Sequence, residues 1–238
     1  MLKRLASLIR RSPSTTPSGD PSRPGDFFGH VYESNFWGGQ SSRSGLGSEG
    51  AFAQQKIAII KDIATNFGAA TILDLGCGDF YWMRELTPHF RRYHGVDIVD
   101  ALIGSNRSRF GSERVSFQCL DLSDPRQHEL LAMRDADLIV CLDVFGHLLN
   151  SEVDSLLRLI LHGLNGKLFL VTNRREPGSA DYLRREKTRH EGIDLEQHPL
   201  FVKHGPRRVK QVPGLYPNDF FDLYDLGRAR VELGEGVG

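Results

Sequence analysis

The sequence contains few cysteines and no excess of either charge. Cys77, Cys119 and Cys141 are its three cysteines, and no Cys-x-x-Cys pair occurs, so we expect no structural zinc site. An odd number of cysteines in apolar runs, without a secretion signal, favours a reducing compartment, and we expect a cytoplasmic protein. The 30 basic and 30 acidic side chains balance, so composition does not favour binding of a polyanion over the whole surface.

Long hydrophobic runs are also missing. No apolar run reaches about 18 residues, so we expect no transmembrane helix. Residues 1–11 place leucine and isoleucine on one helical face beside lysine and arginine. This pattern is compatible with a solvated basic tail, weak contact with a membrane surface, or a targeting presequence. Residues 12–26 are rich in proline, serine, glycine and threonine, so we expect residues 1–26 to form a flexible arm.

Residues 27–238 have the size and composition of one α/β domain. An aromatic segment and a glycine- and serine-rich loop come first, and apolar residues then recur with helical spacing over residues 49–67. We therefore expect residues 27–68 to form an N-terminal lid and a helix. Five later apolar runs predict strands, at residues 71–75, 93–98, 115–120, 136–142 and 167–172.

Helical patterns lie between these strands. One helix is predicted to begin over residues 80–86, directly after the first strand, and another to begin at Ser151. Strands that alternate with helices predict a mostly parallel sheet covered on both faces, the Rossmann-like doubly wound α/β architecture. Weaker alternation at residues 208–212 and 220–226 predicts an antiparallel pair at the C-terminal edge of the sheet.

The strongest functional signal is ILDLGCGDF at residues 72–80, where a strand runs into a glycine turn. Gly76 and Gly78 allow the backbone to turn sharply and let a ligand approach the main chain. The helix predicted next would direct free N–H groups at the ligand. Tyr81 stands where a third glycine would complete a dinucleotide-binding motif, which disfavours a nicotinamide dinucleotide.

Acidic residues follow three later strands. Asp97 ends the second strand about 20 residues beyond the turn, the spacing from which a carboxylate reaches ribose hydroxyls. Asp121 follows the third strand, where a side chain can hold an adenine amino group, and Asp143 follows the fourth. Because the carboxyl ends of parallel strands share one edge of the sheet, these acids and Asp74 predict a single nucleoside-binding site.

In this motif order, residues 48–172 resemble the class I S-adenosylmethionine (SAM)-dependent methyltransferases. The resemblance implies SAM as cofactor and S-adenosylhomocysteine (SAH) as its product. It assigns the methionine part to the glycine turn, the ribose to Asp97, and the adenine to Asp121 and Leu122. The complete set of expected cofactor contacts is Arg43, Asp74, Gly76, Cys77, Gly78, Asp79, Asp97, Ile98, Asp121, Leu122 and Leu142.

A narrower resemblance extends beyond the cofactor motifs. ESNFWGGQSSRSGLGSEG, CGDFYWM and CLDVFGHL look like a bacterial-type subfamily with a Cys-Gly-Asp-Phe-[Asn/Tyr]-Trp-Met signature. This resemblance suggests that Arg43 and nearby serines fold over the cofactor, with Arg43 on its carboxylate. The alternative for Arg43 is a solvated loop cation, and the alternative for Asp79 is an aspartate that only caps a helix.

The predicted catalytic residues are His147 and Asp143, both beyond the fourth strand. His147 lies on the expected substrate side, and an imidazole suits a general base at neutral pH. Otherwise it is a histidine bonded to backbone at a helix start. Because a hydroxyl acceptor needs a base, we predict O-methylation of a small-molecule or glycan acceptor. The alternatives are N-methylation of a small molecule and a SAM-binding partner subunit or sensor without turnover.

Other partners have less support from the sequence. The fourth strand ends in LDVF, without the Pro-Pro pair of methylases that act on exocyclic base nitrogens, and no Pro-Cys pair occurs, so nucleic acid is not the expected acceptor. Residues 173–207 are expected to form a polar insertion on the substrate side. A metal site that combines Asp143 with His190 or His198 lacks diagnostic spacing, and we predict none.

Overall fold

The computed structural model describes residues 24–175 and 193–227. In these ranges the strands are β1 (Thr71–Leu75), β2 (Arg92–Asp97), β3 (Val115–Cys119), β4 (Leu138–Cys141), β5 (Leu168–Arg174), β6 (Arg207–Pro213) and β7 (Asp219–Asp225). They form one sheet in the order β3-β2-β1-β4-β5-β7-β6. β1 to β5 are parallel to one another, whereas β7 runs antiparallel to both β5 and β6.

Helices and short turns connect the strands. The α-helices are α1 (Pro24–Glu33), α2 (Gly50–Phe67), α3 (Asp100–Phe110), α4 (Asn150–Arg158) and α5 (Pro199–His204). Turns of 3₁₀ helix lie at Leu46–Ser48, Met83–His89, Pro125–Leu130, Phe145–His147 and Leu195–Gln197, and a π turn, Leu159–Gly163, continues α4. Among the helices of the described ranges, none is long and apolar enough to cross a membrane.

Alternate strand residues point to opposite faces of the sheet and build two cores. Leu73 and Ile139 pack with α4 and α5 on one face. Ile72 and Leu138 pack with α2 and α3 on the other. Both faces are covered, as the continuous apolar runs of β1 and β4 require. The predicted Rossmann-like sheet, mostly parallel with an antiparallel C-terminal edge, is therefore confirmed.

The segment after β1 departs from the prediction. The sequence predicts an α-helix that begins over residues 80–86, but the structure has the 3₁₀ turn Met83–His89. Phe80 takes a left-handed backbone angle, φ 59°, and its buried ring packs 4.9 Å from that of Phe117. Pro88 lacks the N–H that a continuing α-helix needs. The helix prediction was wrong, and no α-helix N-terminus from this segment faces the glycine turn.

Two predicted regions lie partly outside the described residues. Residues 1–23 contain most of the expected basic arm, and residues 176–192, with His190, contain the middle of the expected substrate-side insertion. The described residues on either side of the second segment lie close together, because the Arg174 N–H donates to the Ile193 carbonyl at 2.8 Å. From there the chain passes through a 3₁₀ turn and α5 into β6.

Candidate active site

The glycine turn after β1 carries the first group of predicted site residues. Gly76 and Gly78 take left-handed backbone angles, φ 83° and 56°, which favour glycine. Gly76 is exposed, and a Cβ at this position would lie 2.3 Å from Val144 Cγ2. The turn therefore leaves the main chain of Gly76 open to a ligand while it packs against Val144, beyond the end of β4.

Asp74 and Asp97 place two buried carboxyl groups beside this turn. The Tyr93 hydroxyl donates to Asp74 Oδ2 at 2.7 Å, and the Gly78 N–H donates to Asp97 Oδ2 at 2.9 Å. Burial is the main cause that raises the pKa of Asp74 to about 7, against the opposing effect of the Tyr93 hydrogen bond. Burial also raises the pKa of Asp97, although backbone N–H groups stabilise its charged form.

The electrostatics of the turn fit the predicted cofactor. The charge of Asp97 raises the pKa of Asp74, and the charge of Asp79 raises the pKa of Asp97. A cation relieves such repulsion between carboxylates, and SAM carries both a sulfonium and an ammonium group. When bound, SAM supplies an activated methyl group. The acidic turn and the exposed main chain of Gly76 are the features of this chain that suit it.

Three further predicted cofactor residues differ in what they can offer a ligand. Cys77 and Leu142 are buried in the core, so a contact with the cofactor would come mainly from their backbone atoms. Ile98 is half-buried, and its carbonyl oxygen would lie 3.3 Å from a Cβ at Gly25 of α1. The N-terminal part of α1 therefore packs beside the end of β2.

Asp121 and Leu122 lie beyond β3, on the predicted adenine side. Asp121 Oδ1 accepts hydrogen bonds from the N–H of Ser123 at 2.9 Å and from its hydroxyl at 2.5 Å. Leu122 is half-buried against the core, and its carbonyl lies 2.9 Å from His128 Nε2. The structure thus ties Asp121 into its own turn, and its contact with an adenine stays a prediction.

A lid, formed by α1 and the loop after it (residues 24–48), is held by Asp79. The Asp79 carboxylate accepts hydrogen bonds from three groups of the lid. The donors are the Ser42 hydroxyl (2.9 Å), the Arg43 N–H (2.8 Å) and the Ser44 hydroxyl (3.1 Å). The carboxylate therefore has a structural partner other than an α-helix N-terminus, and its contact with the cofactor stays a prediction.

The lid lies directly on the glycine turn. The Tyr32 hydroxyl is 3.1 Å from Ser44 Oγ, and a Cβ at Gly78 would lie 2.4 Å from that same oxygen. The Arg43 side chain turns toward α1, where Nη1 donates to the carbonyls of Tyr32 (2.9 Å) and Glu33 (2.7 Å). The structure places Arg43 at the C-terminal end of α1, and its predicted bond to the cofactor carboxylate is not tested by this geometry.

Asp143, just beyond β4, is paired with Lys56 of α2. Asp143 takes a left-handed backbone angle, φ 59°, and its N–H donates to Thr172 Oγ1 at 3.3 Å. Lys56 Nζ donates to Asp143 Oδ2 at 2.5 Å. The lysine side chain is 5% exposed and the aspartate side chain 39%. The pair therefore extends from the interior to the surface at the carboxyl end of β4, the predicted reaction edge, where the sequence predicts the catalytic residues Asp143 and His147.

Lys56 contacts the predicted site residue Asp143 but was not among the residues predicted from the sequence. It lies on α2 between Ala53 and Ile60, and the spacing of three and four residues places it on the buried face. A buried ammonium group needs a partner, because an unpaired charge is costly to remove from water. A lysine within an apolar helical stripe is therefore the sequence signal that could have found it.

His147 ends the 3₁₀ turn Phe145–His147, which follows β4. Its ring centroid lies 5.4 Å from that of Trp37 and 6.1 Å from that of Phe28, with Phe28 in a T-shaped arrangement. Both aromatic residues belong to the lid. The structure thus brings His147 against the lid, and its role as a base stays a prediction.

An aromatic pair near Asp143 was also missed. Tyr216, in the turn between β6 and β7, stacks on Phe52 of α2 with ring centroids 4.5 Å apart and planes inclined by 22°. The two rings belong to distant parts of the chain, so no local pattern joins them. Phe52 also lies one helical turn before Lys56, which connects the aromatic pair to the ion pair.

His198, one of the two histidines that could join Asp143 in a metal site, caps α5. Its Nδ1 accepts the Leu200 N–H at 3.3 Å, and its Nε2 lies 2.9 Å from Asp154 Oδ1. His190 lies outside the described residues. Among residues 24–175 and 193–227, no group of three or more histidine, cysteine, aspartate or glutamate side chains is arranged to hold a metal ion.

Several methyltransferases of known structure have a similar fold. Magnesium protoporphyrin IX methyltransferase from Synechocystis PCC 6803, with bound SAH, aligns with a TM-score of 0.60 and 14% identity over 87% of this chain and 100% of that chain. The N-methyltransferase NodS from Bradyrhizobium japonicum WM9, in complex with SAH, aligns with a TM-score of 0.60 and 15% identity over 82% and 97%. The CurJ carbon methyltransferase aligns with a TM-score of 0.57 and 12% identity over 75% and 56%. At these identities the comparisons establish a shared fold.

A family comparison identifies the class of enzyme. No curated protein sequence matches the chain. A family model described as a methyltransferase domain matches residues 51–208, more than half of the chain. The match does not test the narrower subfamily resemblance carried by CGDFYWM. The chain nonetheless belongs to the methyltransferase domain family and, as its sequence predicts, is a SAM-dependent methyltransferase.

Proposed function

We propose that this enzyme transfers a methyl group from SAM to a hydroxyl group of a small-molecule or glycan acceptor. The observation that carries the proposal is the pairing of Asp143 with the buried Lys56 at the carboxyl end of β4. His147 follows four residues later, against the lid. Open α/β sheets bind their ligands at this edge. A fixed carboxylate and an imidazole therefore lie on the side where the acceptor is expected.

In this proposal Asp143 and His147 have separate roles. Asp143 accepts a hydrogen bond from the acceptor hydroxyl and orients it, and the neutral imidazole of His147 accepts its proton. The acceptor oxygen forms the new bond to the methyl carbon as the carbon–sulfur bond breaks, and the electron pair of that bond stays on sulfur. The products are the methyl ether, protonated His147 and SAH, whose sulfur no longer carries a charge.

The cofactor contacts follow the chemistry of the glycine turn. We assign the methionine part of SAM to Asp74, Gly76 and Gly78, because this turn combines an open main chain with buried acids. We assign the ribose hydroxyls to Asp97 at the end of β2. The remaining assignments follow the order of the strands. We assign the adenine to Ile98, Asp121 and Leu122. Leu142 and Asp143 then line the side of the site where the methyl group is transferred.

The test measures SAH release with a panel of phenols, alcohols and sugars, together with SAM affinity by isothermal titration calorimetry. We expect His147→Ala to lower turnover by a factor of about 100 or more, the usual contribution of a general base, and to leave SAM affinity within about twofold. His89→Ala, at an exposed histidine, is the matched control and should keep wild-type turnover. Unchanged turnover in His147→Ala would remove this residue from the mechanism.

N-methylation is the second candidate, and the same carboxylate favours it. The Asp143 side chain is 39% exposed, and a carboxylate can bind a protonated amine through a charge-assisted hydrogen bond. A parallel panel of primary and secondary amines distinguishes this reaction from O-methylation. SAM binding without turnover of any member of either panel would favour the third possibility, a SAM-binding partner subunit or sensor.

A further inference from the structure

One face of α2 joins the ion pair to the aromatic pair. Phe52 and Lys56 are four residues apart, so their side chains leave the helix on the same side. Lys56 Nζ reaches Asp143 Oδ2 at 2.5 Å, and the Phe52 ring stacks on the Tyr216 ring at 4.5 Å. Asp143, Phe52 and Tyr216 are all half-buried. They border a strip of surface beside the predicted reaction edge, and we call it the α2 strip.

The turn that carries Tyr216 is fixed against α2. Gln55 Nε2 donates to the Pro213 carbonyl at 2.8 Å, just before the turn. The Arg174 guanidinium lies 5.9 Å from the centroid of the Tyr216 ring. The Asp143 carboxylate is close enough that its charge adds to burial in raising the pKa of Tyr216. Tyr216 and Asp143 therefore lie close enough to interact electrostatically, although they come from distant parts of the chain.

The charges that border the α2 strip are balanced. Lys56 pairs with Asp143, and Arg174 pairs with Asp219. Paired charges give little attraction for an ionic acceptor, whereas two half-buried rings favour a ligand with a flat apolar face. A hydroxyl group on an aromatic ring or on a sugar ring combines such a face with a group that Asp143 can hydrogen-bond.

The Lys56 ammonium group has a confined position. Its side chain is 5% exposed, it lies 5.6 Å from the centroid of the Trp82 ring, and its charge lowers the pKa of Asp74. Because the ammonium group is buried, it approaches the Asp143 carboxylate from the interior. The aspartate side chain is 39% exposed, so the pair reaches the surface at Asp143.

We infer that Lys56 is a positioning residue that keeps Asp143 ionised and directed at the acceptor, and that the acceptor is a neutral hydroxyl-bearing ring packed against Phe52 and Tyr216. The inference rests on the proposed O-methylation, because it treats Asp143 as the group that orients a hydroxyl. It adds an acceptor class and two specificity-determining residues.

The first test measures binding, so it does not depend on turnover. Saturation-transfer NMR is recorded on the full chain with SAH and either catechol or methyl β-D-glucopyranoside. We expect at least one probe to bind, and Tyr216→Leu to weaken its binding about fivefold, the scale of a lost aromatic contact. Leu215→Ala, an exposed neighbour in the same turn, should leave binding unchanged. Tyr216→Phe keeps the ring and should also bind.

The probe that binds identifies the acceptor class. Binding of catechol alone indicates a phenolic acceptor, and binding of the glucoside alone indicates a glycan. If neither probe binds the wild-type protein, or if Tyr216→Leu binds as well as wild type, the proposed acceptor class is wrong.

The second test follows the Asp143 carboxyl by ¹³C NMR titration, with Asp143→Asn used to assign its signal. Lys56→Met removes the charge and keeps a long side chain, and we expect the titration midpoint of Asp143 to rise by at least about one pH unit. Lys56→Arg should restore the midpoint, and Lys61→Met, at an exposed position of the same helix, should leave it unchanged. An unchanged midpoint in Lys56→Met would overturn the positioning role.

A different result would also overturn this role. If Lys56→Met weakened SAM binding more than tenfold, Lys56 would be a cofactor ligand instead. Failure of the proposed function gives a different result. In that case a probe binds and Tyr216→Leu weakens its binding, but SAH is released only with an amine and not with any hydroxyl compound. Thermal unfolding followed by circular dichroism confirms that each variant is folded.

Discussion

Asp74 carries its carboxyl group into the core at the end of β1, where it is 4% exposed. Its pKa is raised from 3.8 to about 7, mainly by burial. Between these two pH values the unfolded chain releases a proton that the folded chain keeps. The contribution of Asp74 to the free energy of unfolding is therefore complete below about pH 4 and declines as the pH rises to about 7.

This pH dependence predicts the behaviour of Asp74→Asn in the cofactor-free protein. Between pH 5 and 7 the free energy of unfolding of the wild type should fall relative to the variant, by up to about 1.4 kcal/mol per pH unit. Urea unfolding at pH 5, 6 and 7 measures this difference. Asp135→Asn, at an exposed aspartate, should follow the wild type. Parallel curves for wild type and Asp74→Asn would show that Asp74 titrates normally.

At the scale of single residues, the sequence predicts local features and misses pairs from distant segments. Asp74 and Asp97 lie near the ends of recognisable strands and Gly76 directly follows one, so a pattern of a few residues is enough to place them. The bond between Lys56 and Asp143 joins positions 87 residues apart, and it forms only because α2 packs across the end of β4. The same limit applies to the stacking of Phe52 on Tyr216.

The lid is an element that the Asp79 carboxylate holds against the glycine turn. Asp79 accepts hydrogen bonds from the Ser42 hydroxyl and the Arg43 N–H, and the lid covers Gly78. A ligand that contacts the main chain at Gly78 must therefore pass the lid. The rate at which the lid opens should limit both the entry and the release of the cofactor.

Asp79→Asn tests this arrangement. The variant keeps the shape of the side chain but loses the charge that strengthens the hydrogen bonds to the lid. We expect SAH to associate and dissociate faster, with a dissociation rate raised by roughly tenfold, or about 1.4 kcal/mol. Stopped-flow tryptophan fluorescence measures both rates, and Glu33→Gln, at an exposed lid residue, serves as control. Faster dissociation with unchanged association would instead indicate direct contact between Asp79 and the cofactor.

The 3₁₀ turn Met83–His89 shows why an element can differ from its local pattern. The apolar spacing after the glycine turn predicts a helix, but the ring of Phe80 is drawn into a cluster with Tyr93 and Phe117. This packing fixes a left-handed backbone angle at Phe80. Tertiary contacts between strands thus override a helical propensity that is weak beside Pro88.

On the scale of the whole molecule, a polar network holds the C-terminal edge of the sheet together. Asp222 of β7 is fully buried and accepts hydrogen bonds from Asn173 (2.8 Å), Arg175 (2.9 Å) and Gln211 (2.7 Å). Asn173 Oδ1 also accepts the Leu195 N–H at 3.1 Å. The network therefore joins β5, β6 and β7 to the segment that follows residue 192.

Removing the charge at the centre of this network should weaken the fold. We expect Asp222→Asn to lower the free energy of unfolding by about 2–3 kcal/mol. This is less than the usual cost of breaking a buried ion pair, because the Arg175 side chain is 25% exposed and water can partly solvate its charge. Urea unfolding at pH 7 measures the change. Asp225→Asn, at the more exposed end of the same strand, should change it by less than about 0.5 kcal/mol. Equal stability of both variants would contradict this role for the network.

The same network explains which part of the topology is hard to predict. β1 and β4 are continuous apolar runs, so their burial on both faces is evident from the sequence. β7 contains two buried aspartates, Asp219 and Asp222, and β6 is largely exposed, so neither follows a clear alternation. Their pairing depends on partners such as Arg175 that lie elsewhere in the chain. The expectation that nucleic acid is not the acceptor rests on missing sequence motifs and balanced charge, and the cytoplasmic location rests on cysteine usage, so both stay predictions.

The division between the glycine turn and the α2 strip has an evolutionary consequence. The turn and its acids lie within residues 71–97, whereas Tyr216, one of the two rings proposed to contact the acceptor, lies in the five-residue turn 214–218 between β6 and β7. Substitutions at that tip leave the strands that position Asp74 and Asp97 unchanged. With Tyr216 as the proposed acceptor contact, we expect mutations in this one turn to change acceptor preference in descendants of this enzyme while methyl-donor recognition is inherited intact.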